Sequence, residues 1–131
     1  MADSGVGDRA SETLLEGKEA LARAITRALY AERPELLDRY GESGRRKCLQ
    51  DMRYNIEHLA PAVALGEPRL FARYVVWLRN MLGARGVPSE EIGRSLELME
   101  RVVRSEFAGD EAAVVAEVLD AGLAALAQES A

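Results

Sequence analysis

The sequence predicts an all-α helical bundle, and three observations carry that expectation. Apolar residues recur at intervals of three and four along the chain, and no segment alternates convincingly with a period of two. Ala, Leu, Glu and Arg dominate a composition in which aromatic residues are only 5%. Gly and Pro fall mostly between the periodic stretches, where they punctuate helices joined by short connections. The 131 residues suffice for a single core, so about five to seven helices are expected in one domain over 11–131.

Residues 1–10 are small, polar and Gly-containing, and read as a disordered tail. Ser11 can cap a helix that carries Leu14, Leu15, Leu21, Ile25 and Leu29 and is stopped by Pro34. The Glu35–Tyr40 stretch reads as a short turn or a single helical turn before Gly41. The most regular helix follows, with Leu49, Met52, Ile56, Leu59 and Val63 spaced 3, 4, 3 and 4. Pro61 inside that pattern predicts a kink or an early end, with Gly66 closing the element. A helix over 67–85 begins with Pro68 in its first turn and carries Leu70, Phe71, Tyr74, Trp77, Leu78, Met81 and Leu82. Gly86-Val87-Pro88 is a stop and restart, and Ser89, Glu90 and Glu91 suit the next N-terminus. That helix buries Ile92, Leu96, Met99, Val103 and Phe107. Asp110 then caps a last one facing Val114, Val115, Val118, Leu119, Leu123 and Leu126 inward.

Charge and composition narrow the function. A net charge of −5 and a pI near 5.0 argue against a general nucleic-acid binder, which needs cations to displace phosphate counterions. One cysteine allows no internal disulfide and suits a reducing compartment. The N-terminus has no apolar h-region and no run approaches a membrane span, so a cytoplasmic protein with no membrane partner is expected. No phosphate loop, dinucleotide fingerprint, helix-turn-helix or zinc spacing is present, and one histidine supports no Ser–His–Asp system. The expectation is a protein that is not an enzyme and holds no metal.

A second stripe borders the apolar one on the most regular helix. Arg45, Cys48, Asp51, Asn55 and His58 follow one another at 3, 3, 4 and 3 residues and share a face, as would suit a helix lining a cleft. Cys48 lies early in this helix behind Arg45, Arg46 and Lys47, where the helix dipole and nearby cations favour a thiolate. The pattern alone reads as well, or better, as a small buried cysteine and a solvated polar face. Tyr54, Tyr74 and Trp77 can flank a planar ligand, although core packing is the commoner role for Tyr74 and Trp77.

Four ordered blocks covering about residues 20–127 resemble the phycobiliproteins, the globin-like proteins that carry bilins. TRALYAERPELL over 26–37, CLQDMRYNIEHLAPAVALGE over 48–67, LGARGVPSEEIGRSLELME over 82–100 and GDEAAVVAEVLDAGLAAL over 109–126 carry the likeness. The resemblance implies a linear tetrapyrrole such as phycocyanobilin or biliverdin, joined through a thioether at Cys48. It implies that Asp51 accepts hydrogen bonds from pyrrole nitrogens, and that nearby cations pair with the propionates. Gln50 stands where the family has an arginine between the cysteine and the aspartate, so Arg45, Arg46, Lys47 or Arg53 is expected to take its place. The chain begins about where the family's N-terminal helical hairpin ends, and 67–81 diverges with Trp77. Both features look more like the bilin biosynthesis-associated globins.

The functional expectation is a non-catalytic bilin-binding globin, carrier or sensor, with the pigment covalent or non-covalent. The alternative is a scaffold that docks bilin-biosynthesis enzymes and holds no pigment at rest. Haem is disfavoured because the 67–86 helix has no proximal histidine. A homodimer through exposed helix faces fits the prevalence of symmetric dimers.

Overall fold

A computed structural model describes residues 4–128, and its elements are six helices with no strand among the described residues. They are α1 (Ser4–Glu16), α2 (Lys18–Glu32), α3 (Glu35–Leu65), α4 (Pro68–Gly83), α5 (Ser89–Glu106) and α6 (Gly109–Gln128). The all-α expectation and the helix number both hold.

The N-terminal stretch differs from its expectation. Residues 1–3 lie outside the described residues, but the chain is helical from Ser4 onward rather than a tail to residue 10. The reason is a face of small residues rather than large apolar ones. Ala10 and Leu14 are fully buried, Ser11 is buried rather than capping, and a Cβ on Gly7 would meet the Val63 carbonyl oxygen at 2.8 Å. This face packs α1 closely against α3. Gly17 (φ −96°, ψ 11°) then divides the expected single helix into α1 and α2.

Glu35–Tyr40, expected as a short turn or a single helical turn before Gly41, is a short helical segment at the start of α3, which bends at Gly41 (φ 69°, ψ −172°). Pro61 does not end the helix, which continues to Leu65 and closes at Gly66. Its position in the last turns limits the damage: proline removes one donor, to the Glu57 carbonyl, on an exposed face where water replaces it.

The core forms where α3, α4, α5 and α6 meet. Ile56, Leu59 and Val63 of α3, Phe71 and Val75 of α4, Leu96 and Met99 of α5, and Val115 and Leu119 of α6 are all essentially inaccessible to water. Packing of α4 on α6 is the most extensive interface. Gly122 makes it close, because a Cβ there would meet the Phe71 ring at 2.9 Å and Val75 at 3.1 Å. Trp77, for which core packing was the commoner expectation, is exposed, as are Leu15 and Leu70.

Candidate functional site

A cleft of about 240 Å³ opens beside this core. Its shape depends on the bend at Gly41. Glu35–Tyr40 lies before that bend, and Leu36 and Tyr40 form one wall while Lys47, Cys48, Asp51, Met52 and Asn55 form the floor. Tyr40 rests against Gly44, where a larger residue would push it away. The opposite wall comes from Leu78 and Leu82 of α4, Arg85 and Val87 of the α4–α5 loop, and Glu91, Ile92 and Ser95 of α5. Leu29 and Tyr30 of α2 close one end. A volume just under the roughly 300–1,000 Å³ of small-molecule pockets suits an open site that grips part of an elongated ligand.

Four of the sequence-derived candidates meet here: Lys47, Cys48, Asp51 and Asn55. The Asp51 carboxylate has no hydrogen-bond donor or ion-pair partner among the described residues. Burial pushes its pKa above the usual 3.8, and the charges of Arg85 and Lys47 draw it partly back. Asn55 is held from behind: the Tyr74 hydroxyl donates to its Oδ1 at 2.6 Å, and burial raises the Tyr74 pKa.

Cys48 is a correction. Neither the dipole nor the basic run produces a thiolate, because burial pushes the thiol from its ordinary 9.0 up to about 11 against a smaller opposing pull from Thr26. The carboxylates of Asp51 and Glu91 add to the rise. The helix that holds Cys48 begins after the break at Gly41, and the thiol lies seven residues past it, about two turns in, rather than at the free N-terminus.

The other candidates do not line this cleft. Arg45 lies over the Tyr30 ring, 5.8 Å from its centroid, and Arg45 and Arg46 face a separate groove between α2 and α3. Arg53 is taken up by Glu19 at 2.6 Å. Tyr54 is exposed and its hydroxyl accepts from Gln50 Nε2 at 3.0 Å. His58 donates from Nδ1 to the Tyr54 carbonyl at 2.9 Å and stacks on Tyr74 with ring centroids 4.0 Å apart. Trp77 is 56% exposed, 6.0 Å from Tyr74 on the outer face. Arg85, Glu91 and Tyr30 were missed because they come from other elements, and Tyr40 because the bend at Gly41 separates it from Cys48, so no local spacing connects any of them to the thiol. No group of three or more His, Cys, Asp or Glu among the described residues is placed to hold a metal ion.

The fold and cleft together define a helical bundle with an apolar-walled site, floored by a thiol, a carboxylate and a lysine and overlooked by an arginine. A family model described as Phycobilisome protein matches residues 7–126, and the chain belongs to that family, with its globin-like fold. It is similar to an allophycocyanin alpha subunit of Picosynechococcus sp., 27% identical over 110 residues covering 80% of this chain and 68% of the relative. It is also similar to an allophycocyanin alpha chain 2 of Microchaete diplosiphon, 24% identical over 114 residues covering 83% and 71%. Among the described residues no helix is long and apolar enough to cross a membrane.

Proposed function

We propose that the chain is a non-catalytic bilin-binding protein whose cleft holds one edge of a linear tetrapyrrole. The observation that carries this reading is the Asp51 carboxylate, which lines the cleft with no donor among the described residues. Such an acceptor is satisfied by N–H groups that a ligand brings, and pyrrole nitrogens are donors of that kind. Lys47 and Arg85 supply cations for the ligand's carboxylates, and neither has an ion-pair partner among the described residues. The apolar walls of Leu36, Leu78, Leu82 and Ile92 exclude water from a conjugated ring system. The bound pigment would supply visible absorption, which the protein tunes by shape and by the Asp51 charge.

Cys48 is the attachment point in this reading. Addition joins its sulfur to one carbon of an exocyclic C=C bond, and the thiol proton passes to the other carbon. With a pKa near 11, only a minute fraction of the thiol is ionised at neutral pH, so attachment is slow without a lyase or another base. Phycocyanobilin and biliverdin are the candidate ligands, and the allophycocyanin names of the relatives point the same way. The finer placement among bilin biosynthesis-associated globins, with cytoplasmic partners that make bilins, rests on the divergent 67–81 segment and belongs to this proposal.

The test is co-production with haem oxygenase and a bilin reductase, followed by absorption spectroscopy and zinc-induced fluorescence on a denaturing gel. A coloured adduct that survives the gel and is lost in Cys48→Ala supports covalent binding; colour lost on denaturation supports non-covalent binding. Absorption that is weaker or blue-shifted in Asp51→Ala supports the pyrrole contact. A colourless protein would sink the reading and favour the scaffold alternative.

A further inference from the structure

Arginines that the pigment cleft does not use line a second surface. Arg45 and Arg46 of α3 face Arg23 and Arg27 of α2 across a groove of about 210 Å³. The surface continues along α3 past Lys47 to Arg53, and Leu49 and Arg46 belong to both parts. Six cations thus line one face of a chain whose net charge is −5. The compensation is incomplete. Glu19 contacts Arg23 at 3.6 Å and Arg53 at 2.6 Å, and Glu42 lies in the groove. Arg27 and Arg46 are exposed and have no acidic partner among the described residues. Arg94 of α5, by contrast, is paired with both Glu32 and Glu97.

We propose that the α2–α3 groove docks an acidic segment of a partner protein. The cations are strung out rather than convergent: Arg46 and Arg53 are two helical turns apart, on the order of 10 Å. A single phosphate needs donors gathered around one point, whereas spaced carboxylates along a peptide match spaced guanidiniums. Half-buried Leu49 gives the groove an apolar floor between its cations, which favours a segment alternating acidic and apolar side chains. The excess negative charge of the rest of the chain opposes a long polyanion such as nucleic acid, and a short acidic segment meets that opposition only weakly. The like charge of the groove also rules out its pairing with the same groove on a second copy across a two-fold axis. Lys47 is the one cation shared with the cleft, and the docking rests on the arginines, whatever the cleft holds.

The test uses the full chain without pigment and a short fluorescent peptide with glutamates spaced by leucines. A matched peptide with glutamine in place of glutamate, inorganic polyphosphate and single-stranded DNA are the comparisons. Saturable binding of the acidic peptide by fluorescence anisotropy is expected, weakened by salt and absent for the glutamine peptide. The double variant Arg27→Glu with Arg46→Glu is expected to weaken it about tenfold or more, while Asp51→Asn leaves it unchanged. Peptide binding that the double variant does not alter would overturn the proposal. Tighter binding of polyphosphate or DNA, abolished by the same variant, would overturn the choice of a protein segment as occupant. No binding of the acidic peptide at all would end it.

Discussion

Cys48 and Asp51, one helical turn apart, both hold their protons more tightly than free side chains do, and for both the first cause is burial. For Asp51 this means that the charged form is disfavoured in the folded state. Its folded pKa lies above the unfolded value, so the unfolded chain releases the proton first and stability falls as pH rises through the window above 3.8. Replacing it with Asn removes that penalty. Asp51→Asn is therefore expected to raise the melting temperature of the pigment-free protein at neutral pH while impairing pigment binding, a conflict between stability and function. Calorimetry of the two proteins decides it, and a lower melting temperature would mean that Lys47 and Arg85 fully compensate the charge. Arg85 gives a second prediction. If it grips a ligand carboxylate, Arg85→Gln removes a charge-assisted bond of about 1.5–3 kcal/mol and weakens biliverdin binding by roughly ten- to a hundredfold. Arg46→Gln, away from the cleft, should leave the affinity unchanged, and an equal loss in both would reduce Arg85 to a diffuse charge. The floor of the site was legible because side chains three and four apart on one helix must share a face. Arg85 was not, because only the fold brings the loop after α4 over that face. Arg46 misled because two steps from Cys48 turn its side chain by about 200°, whereas Arg45, three residues from Cys48, is drawn over the Tyr30 ring.

The cleft belongs to the way α3 bends. Gly41 combines φ 69° with ψ −172°, a conformation available essentially to glycine alone, and nothing would touch a Cβ there. A substitution thus meets backbone strain and not a clash. Gly41→Ala is expected to cost about 1–3 kcal/mol in urea unfolding and to weaken pigment binding, as Tyr40 and Leu36 leave the wall. Unchanged affinity with reduced stability would show that the wall survives without the bend. Gly122 offers the opposite case, a helical glycine with ordinary backbone but Phe71 in the way of any Cβ. The long apolar stripes of α3, α5 and α6 could be read from spacing alone. The first half of α1 could not, because its buried face depends on Gly7, Ala10 and Ser11, residues that carry little hydrophobic signal until α3 lies against them. The same limit applies to the first part of α3, six residues too short to show a helical period of their own.

Across the whole molecule, ion pairs connect helices that are distant in sequence: Arg9 with Asp110 at 3.1 Å, Lys18 with Glu57 at 2.6 Å, Arg53 with Glu19 at 2.6 Å and Arg94 with Glu32 at 2.7 Å. They are largely exposed, so each adds little by itself. Hydrogen bonds from Arg53 and Arg94 hold Glu19 and Glu32 below their ordinary 4.5. Carboxylates of this kind favour the folded state above the unfolded pKa, and that contribution is lost as pH falls through the folded value. Alkali acts through a different group. Between about 9.0 and 11 the unfolded chain loses the Cys48 proton while the folded chain keeps it, so stability falls as pH rises, by on the order of 2 kcal/mol across that window. Tyr30 and Tyr74, both raised by burial, extend the fall once pH passes their ordinary 10.0. The expected profile of melting temperature against pH is a plateau with an acid arm below about 4.5 and an alkaline arm beginning near 9.0. Salt should lower the plateau slightly by screening the exposed pairs and leave the onset of the alkaline arm in place, because that onset comes from a buried thiol. In Cys48→Ala the fall between 9.0 and 10.0 should disappear and the tyrosine-driven part should remain; an alkaline arm that starts at the same pH in this variant would show that the thiol is solvated and ionises freely in the folded protein.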